Sequence, residues 1–198
     1  MAATRGGANE VLRSPELLEP TGSRLLIVDV QEKLLPAIPE SRRLIANCSR
    51  LIRAAAIFDV AVSATEQYPK GLGHTVKPLS DLLPPAIEKT TFSSVPVLDW
   101  CRADPVEIAP HTVVVAGIEA HVCVLQTVFD LIARGFRVSV VADAIASRHL
   151  QDETIALQRM LSGGAVITTL ESVLFEWCQR SGTPEFKKIS ALVKEGCP

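Results

Sequence analysis

Several short apolar runs, each unbroken rather than alternating, constrain this chain more than any other feature. Leu25-Leu26-Ile27-Val28 stops at Asp29, and Val60-Ala61-Val62-Ser63-Ala64 stops before a polar loop, Glu66–Gly73. Thr112-Val113-Val114-Val115-Ala116-Gly117-Ile118 is the strongest run, Val138-Ser139-Val140-Val141 ends near Asp143, and Ala165-Val166-Ile167-Thr168 comes last. Ala86-Ile87-Glu88-Lys89 is a shorter, weaker candidate. A strand with one wet face alternates, whereas an unbroken run needs cover on both faces, the condition of a parallel sheet. The cover is written between the runs. Ser41–Ile57 carries an apolar stripe of Leu44, Ile45, Cys48, Leu51, Ile52 and Ala55, with Ser41 as the expected N-cap. Val122–Arg134 carries Val124, Leu125, Val128, Leu131 and Ile132 and closes at Gly135. His149–Leu161, Glu171–Gln179 and Pro184–Val193 complete the helices. The expectation is an α/β fold: one three-layer α/β/α sandwich with a mostly parallel six-stranded sheet of Rossmann-like topology.

A length of 198 residues suits one domain, 21–198, preceded by a loosely ordered polar extension, 1–20. With 20 basic and 22 acidic residues the net charge is −2, which gives no electrostatic footprint for nucleic acid or an anionic membrane. No apolar stretch approaches the ~20 residues that span a bilayer. The N-terminus lacks a signal-peptide core and carries Glu10, Glu16 and Glu19, so a soluble cytoplasmic protein is expected. Five cysteines, Cys48, Cys101, Cys123, Cys178 and Cys197, are an odd number without a CxxC pair, which argues against a disulfide framework or a zinc ribbon.

In a wound parallel sheet, ligands gather beyond the carboxyl ends of the strands. Three reactive side chains fall there: Asp29 after the first strand, Lys89 at the end of the weak one, and Cys123 opening the helix after the strongest. A thiol in the first turn of a helix lies near free N–H groups, which lowers its pKa and offers donors to an oxyanion. The competing reading of Cys123 is a small buried core residue. Asp29 and Lys89 have equally bland alternatives, a capping carboxylate and a solvated ammonium. Brought together, the three would form a nucleophile, a base and a charge-positioning cation. His74, His111, His121 and His149 show no metal-ligand spacing; His121 is a candidate base two residues before Cys123. Gly163-Gly164 follows a helix, the wrong order for a dinucleotide fingerprint, and no phosphate-binding loop of Walker type occurs.

Taken in order, Leu26-Ile27-Val28-Asp29-Val30-Gln31, Thr65–Gly73, Glu88-Lys89-Thr90-Thr91-Phe92-Ser93 and Ala116–Val124 resemble the landmarks of the isochorismatase-like cysteine hydrolases, within them the isochorismatase domain-containing proteins. The resemblance spans about residues 21–195. It implies Cys123 as nucleophile, Asp29 as base and Lys89 as neighbouring cation. It also implies a cis peptide at Ile118–Glu119, an oxyanion hole from the backbone N–H groups of Glu119 and Cys123, and a pocket lined by Gln31, Gln67 and Phe92. Homo-oligomers are implied as well. Two departures narrow the activity. The Asp-x-His metal cluster of nicotinamidases is replaced by Glu66-Gln67-Tyr68, so no metal or other cofactor is expected. True isochorismatases act without a nucleophilic cysteine, so Cys123 favours a small amide or ureide substrate. The expected function is a metal-independent cysteine hydrolase of a C–N bond passing through a thioester. The alternatives are a non-catalytic module that binds a metabolite or protein, and a redox-sensing thiol.

Overall fold

A computed structural model describes residues 13–101 and 112–195. Residues 1–12, His111 and Cys197 lie outside the described residues. Six parallel strands form one sheet: β1 (Ser23–Val28), β2 (Ala61–Gln67), β3 (Ile87–Lys89), β4 (Thr112–Ile118), β5 (Arg137–Ala146) and β6 (Val166–Thr168), in the spatial order β3-β2-β1-β4-β5-β6. The helices are α1 (Ser41–Ile57), α2 (Pro69–Leu72), α3 (Lys77–Ser80), α4 (Leu125–Ala133), α5 (Leu150–Ser162), α6 (Leu170–Cys178) and α7 (Pro184–Lys194). The chain builds outward from β1 to β3, then returns to place β4 on the other side of β1. The strand order therefore reverses between β1 and β4, and the crevice beyond their carboxyl ends is where such a sheet offers a site.

The unbroken runs serve both faces. Leu25 and Ile27 of β1, with Val114, Ala116 and Ile118 of β4, join α1, α6 and α7 in one core. Leu26 and Val28, with Val113 and Val115, join α4 and α5 in the other. Gly117 fixes how closely β1 and β4 approach. It pairs with Val28, its φ is +125°, and a Cβ there would stand 2.1 Å from the Val28 carbonyl oxygen. Only glycine lets the two central strands converge just before Asp29 and the turn after β4. No helix among the described residues is long and apolar enough to cross a membrane.

Several element boundaries differ from the sequence expectation. β2 continues through Glu66 and Gln67, because these residues pair with Glu88 and Lys89 of β3. β5 runs past Asp143 to Ala146 after a register irregularity opposite Val115–Gly117. Ser41 is the first residue of α1 rather than its cap, which is Glu40. Residues 13–20 lie against α6: the Arg13 guanidinium donates to the carbonyls of Leu18 and Glu176, and the Leu18 amide donates to the Glu176 carboxylate.

Candidate active site

Asp29 follows the last residue of β1 in a left-handed conformation, φ 52°, which aspartate tolerates better than most side chains. Its backbone N–H donates to the Thr65 carbonyl, and its carboxylate is fully enclosed. A buried carboxylate is costly unless it is paired and hydrogen-bonded. Here both oxygens are served: Lys89 Nζ donates to Oδ2 at 2.6 Å and Thr65 Oγ1 donates to Oδ1 at 2.8 Å. The Lys89 ammonium is equally enclosed and also meets Gln67 Oε1 at 2.7 Å, the Phe92 carbonyl at 3.0 Å and the Thr91 carbonyl at 3.2 Å. Its three hydrogens thus face four acceptors. One cation fixes Asp29 and folds the 89–92 loop around itself.

Cys123 lies across this pair. The helix after β4 opens with one wide π turn, Ala120–Val124, before α4 begins. Such turns recur at functional sites. The Cys123 carbonyl accepts from Thr127 Oγ1 at 2.6 Å, a bond from side chain to the preceding turn that bends helices. The Ile118–Glu119 peptide that leads into the turn is cis. The thiol is 7% exposed and is pushed up to about 12, chiefly by burial, then by the Asp29 carboxylate, with Lys89 acting in the opposite sense. This reverses the expected lowering at a helix start: desolvation and one near carboxylate outweigh the turn's N–H groups and the ammonium. The resting sulfur keeps its proton, so a nucleophilic role requires a base in contact, and Asp29 is adjacent.

The other predicted site residues take distinct places. Gln31 has no exposed surface; its amide donates to the carbonyls of Gln67 and Gly73 and accepts from the Gln67 amide. It clamps the 67–73 segment to the end of β1. Gln67 donates to the Thr90 carbonyl and accepts from Lys89, so it too holds the loop in place. Phe92 is 53% exposed at the mouth. The Glu119 side chain accepts from the backbone N–H and Nε of Arg148, which leaves its main chain to line the turn. His121, the candidate base, has both ring nitrogens engaged elsewhere, Nδ1 with Ser147 Oγ at 3.0 Å and Nε2 with the Asp152 carboxylate at 3.8 Å. Glu66 and His74 pair with each other, with Thr75 donating to the same carboxylate. No group of three or more metal-ligating side chains occurs among the described residues.

Sequence reasoning missed three hydroxyls, Thr65, Ser94 and Thr127, all essentially without exposed surface. Their one sequence signal is a hydroxyl beside apolar residues in elements that end at the site.

The isochorismatase domain model matches residues 23–172. Isochorismatase domain-containing protein 2A of Mus musculus is 36% identical over 198 residues, covering all of this chain and 92% of that protein. Isochorismatase domain-containing protein 1 of Danio rerio is 41% identical over 184 residues; the match covers 91% of this chain but 64% of that longer protein. Among solved structures, the MAR1 ribonuclease of Caenorhabditis elegans superposes with a TM-score of 0.84 at 39% identity, covering 92% of this chain and 94% of that one. The match extends from β1 into α6 and takes in the whole crevice with its cysteine, aspartate and lysine: the chain belongs to the isochorismatase domain family of hydrolases.

Proposed function

We propose that the chain is a metal-independent cysteine hydrolase that cleaves a small amide or ureide C–N bond. The observation that carries this reading is the buried Lys89–Asp29 ion pair beside the Cys123 thiol at the switch point of the sheet. The thiol is neutral at rest, so attack on a carbonyl is coupled to transfer of its proton to Asp29. The new S–C bond leaves a tetrahedral oxyanion, for which the backbone N–H groups of Glu119 and Cys123 are the proposed donors. Asp29 then gives the proton to the departing nitrogen, and ammonia or an amine leaves a thioester on Cys123. Water attacks that thioester, its proton passes through Asp29 to the sulfur, and the acid is released. Lys89 holds the Asp29 carboxylate in place and has no need to exchange a proton itself.

The test is ammonia release from a panel of small amides and ureides by the wild-type chain and by Cys123→Ser and Asp29→Asn. Each variant is expected to stay folded and lose turnover by at least about 10²–10⁴. An active Cys123→Ser enzyme overturns the reading. The structural relative named a ribonuclease favours a second reading, phosphodiester cleavage, so a single-stranded RNA oligonucleotide belongs in the same panel. RNA cleavage that survives Cys123→Ser would replace the first reading with the second. The four described cysteines are all free, which suits a reducing compartment, and we assign the chain to the cytoplasm on that ground. Leu150 and Leu161 on α5 and Phe175 on α6 are exposed, which suits a homo-oligomer.

A further inference from the structure

The three buried hydroxyls form a directed chain between the base and the nucleophile. Asp29, paired with an ammonium, accepts only, so Thr65 must donate its hydroxyl hydrogen to Oδ1. The Thr65 oxygen is then the acceptor toward Ser94 Oγ, 3.2 Å away. Ser94 turns its other polar group the opposite way, its backbone N–H donating to Thr127 Oγ1 at 2.9 Å. Thr127 passes its own hydrogen to the Cys123 carbonyl at 2.6 Å. Thr65 belongs to β2, Ser94 to the loop after β3, and Thr127 to α4. The Thr127 bond to Cys123 is local to one helical segment, but the bonds from Thr65 to Ser94 and from Ser94 to Thr127 join three different parts of the chain, so local secondary structure does not explain them. Each buried hydroxyl is costly unless satisfied, and here Thr65 bonds Asp29 and Ser94, while Thr127 bonds the Ser94 amide and the Cys123 carbonyl.

We propose that Thr65, Ser94 and Thr127 are positioning residues that lock the Asp29 carboxylate against the turn bearing Cys123. The proposal rests on the reading of Asp29 as base. Ser94 is the keystone, because its hydroxyl reaches the base side and its amide the nucleophile side. The groups with charge or a titratable proton that face Asp29 are Lys89 from β3 and Cys123 from the π turn. Both stay in place in the variants below.

The experiment uses p-nitrophenyl acetate as an acylating probe, with peptide mass spectrometry to follow acetyl-Cys123. In acylation the sulfur bonds to the acetyl carbon, the C–O bond breaks, p-nitrophenolate leaves, and the thiol proton passes through Asp29 to the buffer, which leaves the carboxylate free for the next step. In deacylation water adds to the same carbon, the S–C bond breaks, acetate leaves, and the proton of water reaches sulfur through Asp29. Thr65→Val, nearly isosteric, is expected to lengthen the lifetime of acetyl-Cys123 about tenfold, and Ser94→Ala about threefold. Thr65→Ser, which keeps the hydroxyl, is expected to return to within about twofold of wild type. Asp29→Asn should lengthen the lifetime about a hundredfold, and Thr65→Val added to Asp29→Asn should add nothing. A residue that merely supports the fold would act equally in both backgrounds. A Thr65→Val lifetime equal to wild type, or an additive double variant, overturns the positioning role while leaving Asp29 as base. An Asp29→Asn lifetime equal to wild type, or no acetylation of Cys123 in the wild-type chain, overturns the base itself and the hydroxyl chain with it.

Discussion

Cys48 and Cys123 have nearly the same resting acidity for different reasons. Both thiols are pushed up to about 12, and burial is the largest cause in each. Cys48 sits on the apolar stripe of α1 with no exposed surface, and its sulfur faces the Ala144 carbonyl of β5 at 3.7 Å. Asp143 adds a second push in the same direction, and nothing opposes it. Cys123 is held between opposing charges, Asp29 raising and Lys89 lowering, and retains 7% exposure. A raised thiol pKa alone therefore does not separate a core cysteine from the proposed nucleophile. The separating feature is the Asp29–Lys89 pair in contact with the Cys123 sulfur.

Replacing each cysteine breaks that comparison most sharply. Cys123→Ala should abolish amide turnover, a loss of at least about 10³, and leave the thermal unfolding midpoint close to wild type. Cys48→Ala should keep turnover and lower stability by about 1–2 kcal/mol through the cavity left between α1 and β5. Denaturant unfolding with ammonia release checks both. The smallest effect concerns the rim. His74 is raised above its ordinary 6.5 by its bond to Glu66, so the folded chain holds that proton more tightly than the unfolded one. The stabilisation is complete below about 6.5 and is lost as pH rises through the folded value. His74→Asn should therefore lower the unfolding midpoint slightly at pH 5.5 and not at pH 8.5, by thermal denaturation at both.

Much of this was legible in the sequence because unbroken apolar runs and helical stripes report burial on both faces of a sheet. The run ending at Asp29 marks β1, and the run ending at Ile118 marks β4. Boundaries set by partners were not legible: Glu66 and Gln67 read as loop, yet pairing with Glu88 and Lys89 makes them strand. The same limit applies to the site. Asp29, Lys89 and Cys123 stand out because a charge or thiol at a strand or helix end is chemically conspicuous. The sign of the Cys123 shift was missed, since a helix-start argument sees the nearby N–H groups and not the desolvation supplied by distant segments. Gln31 read as pocket lining, and only the folded chain reveals that its amide is occupied by the 67–73 segment. Thr65, Ser94 and Thr127 carry only the weak signal of a hydroxyl beside apolar residues, because their connection exists only across separate parts of the chain.

Cys123, unlike Cys48, feels two opposed charges in addition to burial. The most direct measurement is the rate of iodoacetamide alkylation of each cysteine against pH, by peptide mass spectrometry, in wild type, Asp29→Asn and Lys89→Met. The Cys123 profile should move to lower pH in Asp29→Asn and to higher pH in Lys89→Met, with Cys48 unreactive in all three while the chain is folded. A Cys123 profile unmoved by either substitution, or moved in the same direction by both, would contradict it.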